Sequence, residues 1–347
     1  MAHPTTPARP TTLARLAEAE PVPDTDLARA AATIEKAPSL ALACHQSPDG
    51  DALGSMLALH HLCRSQGKAS VASWPEPFEV AAHYRFLPGL ELATPPADFP
   101  VRPEVMVTFD CASPGRLGEL AEAADAADEL VVVDHHASND GYGSVNVIEP
   151  EAAATAVLVR RLAAELGWEL DRDAALCLYT GLATDTGRFQ HSNTTPEVFA
   201  LAEELASFDL PIAEISRHLF EEDRLACLQL MGSCLARAEL DADLRFVASW
   251  LTTEDLERHG VELAETEGLI DLVRRAAEAE VTCVLKETPE GVRVSLRSLS
   301  ETDVAAVARL FGGGGHRLAA GFTVPGTVPE VLAAVKDVLA AGRGTPT

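Results

Sequence analysis

Basic residues are scarce: 27 lysines and arginines stand against 53 aspartates and glutamates, a formal net charge of −26. Such an exterior repels phosphate backbones, which excludes a general nucleic-acid coat and a surface for anionic membranes. A nucleotide ligand stays compatible where bound cations and a few local arginines cancel the field. Aromatic residues, at 5%, are too few to stack the bases of a long single strand. No stretch approaches the ~18 consecutive apolar residues of a membrane span. Seven cysteines include no CxxC pair, so neither a zinc knuckle nor a disulfide framework is indicated, and a reduced, cytoplasmic protein is expected. The Pro-, Thr- and Ala-rich start lacks the apolar core of a signal peptide, and residues 1–24 are expected as a disordered tail.

What is present is an alternation of short apolar strands and helices. At 347 residues, a prior of roughly 150 per domain predicts two domains. A helix is predicted over Thr25–Ala37, with Asp24 or Thr25 as cap. Ser39–Cys44 is a strand running into His45-Gln46-Ser47-Pro48-Asp49-Gly50-Asp51, and a helix closing near Gly67 follows. Ala69–Ser73 is a second strand. Glu104–Phe109 ends on Asp110, Ser113–Ala127 reads as a helix, and Glu129–Val133 ends in Asp134-His135-His136. Helices over Glu151–Leu166 and Asp173–Ala183 come next, the latter leading into Thr184-Asp185. From Leu244 the pattern restarts with a strand, a helix near Glu265–Ala279, two strands around Pro289–Gly291, and a helix before Gly312–Gly315. The expected fold class is α/β. A parallel-sheet domain with helices on both faces occupies 25–190, a helical connection 191–239, and a smaller α/β domain 240–342, with an active-site cleft between the domains.

His45, Asp49, Asp51, Asp110, Asp134, His135 and Asp185 would converge at one edge of the first sheet. Taken singly, a strand-end aspartate is a cap or turn former. Together, carboxylates ~4 Å apart repel by roughly 4 kcal/mol per pair even at an effective dielectric of 20. That crowding asks for cations, and carboxylates with few imidazoles and no thiolates favour manganese or magnesium. An aspartate between two ions could bridge them, and such a pair can stabilise both attacking and leaving oxygens in phosphoryl chemistry. His60 and His61 sit mid-helix, where packing or surface roles are expected.

The run Gly312–Gly315 is neither a dinucleotide fingerprint nor a Walker loop. It is either a surface loop or a phosphate cradle in which backbone N–H groups, the amino end of a following helix, His316 and Arg317 act together. Arg297 and Ser298 close a predicted strand, which on the residues alone reads as an ordinary half-buried edge. Arg116 and Arg188 lie near the ligand positions in sequence, with surface charge as their competing role.

The segments HxxPDGDALGS at His45–Ser55, VVVDHH at Val131–His136 and TDTGRF at Thr184–Phe189, with Asp110 after a strand, resemble the successive motifs of the DHH phosphoesterase superfamily. GGGGHRLAAGF at Gly312–Phe322 resembles the signature of the DHHA1 domain that often follows it. The compact two-domain form is similar to bacterial nanoRNase (oligoribonuclease)/pAp phosphatases, whose relatives also cleave cyclic di-AMP or its linear product pApA. The resemblance implies one metal site at His45, Asp49 and Asp110 and a second at Asp51, Asp110, His135 and Asp185. Two Mn2+ would sit there, or Mg2+ or another divalent ion, bridged by Asp110. Asp134 would orient a neighbouring imidazole and His136 would face the scissile phosphate. Arg297, Ser298, Gly313, Gly314, Gly315 and His316 would bind substrate, with Arg116 as a further candidate. The implied partners are short RNA oligonucleotides, pAp and cyclic dinucleotides, not long duplex nucleic acid or membrane, and the family is compatible with a homodimer. An inorganic pyrophosphatase, a single-strand exonuclease and a non-catalytic nucleotide or RNA binder are the rival readings.

Overall fold

The computed structural model describes residues 26–343. The expected tail at 1–24 and the cap candidates Asp24 and Thr25 lie outside them. The chain divides into two compact units, 1–222 and 223–347. The stretch 191–239 is shared between them. Val198, Leu201, Leu205, Ile215 and Leu219 join the core of the first unit, whereas Cys227, Leu230, Met231 and Cys234 join a core of the second.

In the first unit, β1 (Ser39–Cys44), β2 (Ala69–Ser73), β3 (Val105–Phe109), β4 (Glu129–Asp134) and β5 (Val145–Ile148) form one parallel sheet in the order β2-β1-β3-β4-β5. Alternate side chains enter opposite cores. Leu40, Leu42, Val105, Val107, Phe109, Val131 and Val133 face a large cluster built with α1 (Asp26–Lys36), α2 (Gly50–Ser65) and the later helices. Ala41, Ala43, Met106, Leu130 and Val132 face a smaller one containing Leu117 and Leu120. This alternation is what a sheet covered on both faces requires, and each fully buried Leu or Phe contributes about 1.5–3 kcal/mol.

Three local expectations change. The helix expected over Ser113–Ala127 is a 3-10 segment, Pro114–Leu120, followed by α3 (Ala121–Ala126). Gly118, at φ 50° and ψ −132°, breaks it, and a Cβ there would lie 2.8 Å from Pro75. Strand β5 was not anticipated, because its four residues are too few to stand out. The helix expected from Glu151 starts at Thr155, as α4 (Thr155–Glu165).

Next, α5 (Arg172–Asp185) crosses α2 at backbone contact. A Cβ on Gly54 would sit 2.4 Å from the Cys177 carbonyl oxygen, and one on Gly181 would sit 2.7 Å from Asp51 Oδ1. α6 (Pro196–Ala206) and α7 (Ile212–Phe220) complete this unit. His60 and His61 are buried in α2, bonded to Ser70 Oγ (2.9 Å) and the Pro88 carbonyl oxygen (3.0 Å), which is the packing role expected of them.

The second unit contains α8 (Leu225–Ala236) and a six-stranded mixed sheet. Its strands are β6 (Glu239–Asp241), β7 (Phe246–Leu251), β8 (Val281–Thr288), β9 (Gly291–Ser298), β10 (Gly314–His316) and β11 (Ala319–Val324), in the order β10-β11-β9-β8-β7-β6. Only the β7–β8 pair is parallel among them. The helix expected near Glu265–Ala279 shrinks to Leu269–Val273, starting just after Gly268. The glycine run leads into the β10–β11 hairpin, so no helix follows it to lend a positive amino end.

Gly54→Ala forces a methyl against backbone that cannot rotate away, and is expected to destabilise the first unit by about 1–3 kcal/mol. An unchanged thermal midpoint of the full-length protein would show that α2 and α5 separate without cost.

Candidate metal centre

The connection from β1 runs through α2 to β2, while β3, on the other side of β1, leads away to β4. Chain connections therefore diverge between the carboxyl ends of β1 and β3, where open α/β sheets leave a crevice. His45 follows β1, Asp110 follows β3, and Asp134 ends β4 with His135 and His136 behind it. Asp49 is the N-cap of α2, its Oδ1 accepting from the N–H groups of Asp51 (3.1 Å) and Ala52 (3.0 Å). Asp185 is the last residue of α5.

Asp110 is the meeting point. Its φ of 53° is in the left-handed region, which costs energy for a residue with a side chain. The conformation is held by the bond from its N–H to the Val133 carbonyl (3.0 Å) and by Thr155, whose hydroxyl donates to Oδ1 (2.9 Å). From there Oδ2 lies 3.5 Å from His45 Nε2, while Oδ1 lies 3.5 Å from both His135 Nε2 and His136 Nδ1. His45 Nε2 is also 3.8 Å from Asp49, and His135 Nε2 is 3.2 Å from Asp185. Three groups thus have ligand atoms within 4.8 Å of one another: His45, Asp49 and Asp110; Asp51, His135 and Asp185; and Asp110, His135 and His136.

The donor set fits a divalent cation. His45 Nδ1 lies 2.8 Å from the Gln46 carbonyl and His135 Nδ1 3.1 Å from that of Ala152, so each ring donates there, and loss of the Nε2 proton would leave a lone pair aimed at the carboxylates. His45 Nε2 is buried and has no hydrogen-bond partner. With that tautomer the Arg116 guanidinium, 2.9 Å from His45 Nδ1, adds positive charge beside the ring and no hydrogen bond.

Burial and crowding set the electrostatics. Burial opposes an imidazolium at His45, but Asp110 and Asp49 outweigh it and push the ring up to about 10. Burial is likewise overcome at His135 by Asp185, Asp51 and Asp110, which push it up to about 11. Asp185 is pushed up to about 6 by burial, against the pull of His135 and with Asp49 and Asp110 adding to it. Without a cation, protons on the two histidines neutralise part of the site.

Asp51 has a second task. Its Oδ2 accepts from Thr155 N (2.6 Å) and its Oδ1 from Ala156 N (2.9 Å) and Ser55 Oγ (3.2 Å). The residue at the N-cap of α4, Ala154, offers no side-chain bond, so a carboxylate over a hundred positions away in sequence caps that helix. Burial first, then Asp185 and Asp110, push the Asp51 carboxyl well up, while these donors favour its charged form.

Seven of the eight predicted residues of the first unit's acidic and histidine motifs are in this cluster: His45, Asp49, Asp51, Asp110, His135, His136 and Asp185. Asp134 lies behind it, fully buried, with Oδ1 taking the His136 Nδ1–H at 2.8 Å. Arg188 is instead drawn to Phe220, stacked 4.2 Å from its ring and bonded to its carbonyl (2.9 Å). The other predicted substrate residues belong to the second unit. Ser298 Oγ donates to Glu280 (2.9 Å), which also gathers the N–H groups of Ser300, Glu301 and Thr302. Arg297 bonds the Leu296 carbonyl (3.1 Å). Gly313 is required by close packing on Phe322 and Gly315 by its φ of 135°, whereas a Cβ on Gly314 would meet nothing. His316 is exposed. Thr155, Ser55 and Asn139 were missed: Thr155 is 45 residues from Asp110, and Asn139 reads locally as a turn former.

Family models match twice: the DHH family, N-terminal domain, over residues 39–182, and the DHHA1 domain over 243–341. The chain is 33% identical over 309 residues to the bifunctional oligoribonuclease and PAP phosphatase NrnA of Thermus thermophilus, covering 86% of this chain and 89% of that protein. It is 26% identical to the Bacillus subtilis protein of the same name, covering 84% and 91%. An exopolyphosphatase-related protein of Bacteroides fragilis shares the fold at a TM-score of 0.86 and 24% identity, covering 93% and 98%. RecJ of Thermus thermophilus in complex with Mn2+ shares it more distantly, at 0.54 and 16%, covering 95% of this chain and 57% of RecJ. The chain belongs to the DHH family of phosphoesterases, in the form that carries a DHHA1 domain.

Proposed function

We propose that this phosphoesterase uses two manganese ions to hydrolyse short oligoribonucleotides to mononucleotides and to remove the 3′-phosphate of pAp, with cyclic di-AMP and pApA as further substrates. The observation that carries the reading is the division of Asp110 between two ligand groups, one oxygen toward His45 and the other toward His135. His45, Asp49 and Asp110 would hold one ion, and Asp51, Asp110, His135 and Asp185 the other. Bound divalent ions supply the charge that stabilises attacking and leaving oxygens in phosphoryl transfer. The protein's own contribution is placement. Thr155 fixes the Asp110 carboxylate, backbone carbonyls fix the His45 and His135 rings, and Asp134 fixes His136 with its Nε2 as the atom that meets the scissile phosphate. Arg116 adds local positive charge for an anionic substrate, and Arg297, Gly313, Gly314, Gly315 and His316 are assigned substrate phosphate. The Ser298 hydroxyl, committed to Glu280, contributes by holding the end of β9.

The relatives named as oligoribonucleases and PAP phosphatases support this substrate class, and the net charge of −26 argues against long nucleic acid. No helix among the described residues is long and apolar enough to cross a membrane, and all seven cysteines are free and buried, which suits a cytoplasmic enzyme.

In a manganese-supplemented panel of pAp, a diribonucleotide, pApA, cyclic di-AMP and a long single-stranded RNA, initial rates are expected to favour the short substrates. Rapid cleavage of the long RNA alone would overturn the assignment. Asp110→Ala should lower kcat about a thousandfold, or ~4 kcal/mol of transition-state stabilisation, in protein shown to be folded. Near wild-type turnover would remove Asp110 from the centre. Because protons on His45 and His135 must leave before Nε2 can bind an ion, Mn2+ affinity should rise with pH between about 6 and 9, with proton release on binding. Calorimetry in buffers of different ionisation enthalpy measures both, and a pH-independent affinity would count against the histidine ligands.

A further inference from the structure

Asn139 stands in the loop after β4, where an asparagine would ordinarily serve only the turn. Its Oδ1 does accept from Gly141 N–H (2.9 Å), as a turn former's would. The amide NH2 has another task. It donates to Asp134 Oδ2 at 2.6 Å and to the carbonyl of Cys111, the residue after Asp110, at 3.2 Å. Both neighbours can only accept, so the orientation of the amide is dictated: flipped, it would set oxygen against oxygen. The Cys111 carbonyl is itself held by Tyr142 Oη (3.0 Å), which also bonds Thr108 Oγ1 (3.0 Å). A single side chain thereby ties the end of β4 to the end of β3.

The consequence falls on Asp134. Its other oxygen, Oδ1, receives the Nδ1–H of His136 at 2.8 Å and the His136 backbone N–H at 3.2 Å. A carboxylate bonded at one oxygen only can swing about its Cβ–Cγ bond, whereas one bonded at both cannot.

We propose that Asn139 is a positioning residue for His136: by pinning Asp134 Oδ2 it fixes the plane of the carboxylate that aims the His136 ring. This rests on the proposed function for the role of His136 but not for the geometry. Groups that orient a working imidazole in this way typically change activity by about 10–100-fold when removed.

Asn139→Ala should lower kcat about ten- to a hundredfold while KM and Mn2+ affinity stay within about twofold of wild type. Asn139→Asp, the same size but with an acceptor in place of the donor, should do the same, and covers the case in which the alanine variant folds poorly. In a His136→Ala background, followed by single-turnover rates, Asn139→Ala should change the residual rate by less than about twofold. Losses that multiply there, a wild-type kcat in both single variants, or a parallel fall in Mn2+ affinity would each overturn the proposal. A second measurement needs no substrate. The His136 Nδ1–H resonance, identified by its loss in His136→Ala, should be protected from exchange in the wild type and shifted or lost in Asn139→Ala. An unaltered resonance overturns the positioning role whatever the substrate panel returns, while an altered one beside an inactive wild type faults the proposed function alone.

Discussion

Five carboxylates gathered at one edge of a sheet repel each other, and much of the first unit can be understood as the means of keeping them together. Asp49, Asp51, Asp110, Asp134 and Asp185 arrive from three strand ends or helix starts and one helix end. Each is restrained by a donor of its own: backbone N–H groups for Asp49 and Asp51, a hydroxyl for Asp110, an imidazole and an amide for Asp134, and the His135 ring for Asp185. Restraint of this kind lowers the repulsion without removing it, and the residue of unbalanced charge is what suits the cluster to a cation.

The restraints are shared with the fold. Asp51 caps α4, and Thr155 at the start of that helix in turn holds Asp110, so one helix terminus serves two carboxylates of the cluster. The left-handed backbone at Asp110 is tolerated because the strand ladder and this hydroxyl determine it from two sides. Structure and site cannot be separated here, since the same hydrogen bonds satisfy both.

Much of the site was legible in the sequence because its residues lie at punctuation points. A valine-rich run ending in Asp134-His135-His136 places them at a strand's carboxyl end from pattern alone, and likewise for His45 and Asp110. What pattern could not supply was partnership across distance. Nothing local marks Thr155 as a partner of Asp110, or Asn139 as more than a turn residue. Short elements escaped for a related reason: β5 and β10 have too few residues for periodicity, and the glycines at 312–315 resemble a loop until pairing with Ala319–Val324 makes the last two of them strand. The helix over Ser113–Ala127 failed at Gly118, whose positive φ leaves helical geometry at a place where Pro75 leaves no room for a Cβ.

The contact between Gly54 and Gly181 has a bearing beyond packing. Because these helices touch backbone to backbone, the separation of Asp51 from Asp185 is set by the thickness of two polypeptide chains rather than by the lengths of surface loops. Such a gauge is mechanically stiff: thermal motion that spreads loops does little to two helices with no side chain between them to bend. The spacing of these two carboxylates is therefore insulated from change in the surrounding loops, which are free to vary in length and sequence while it holds.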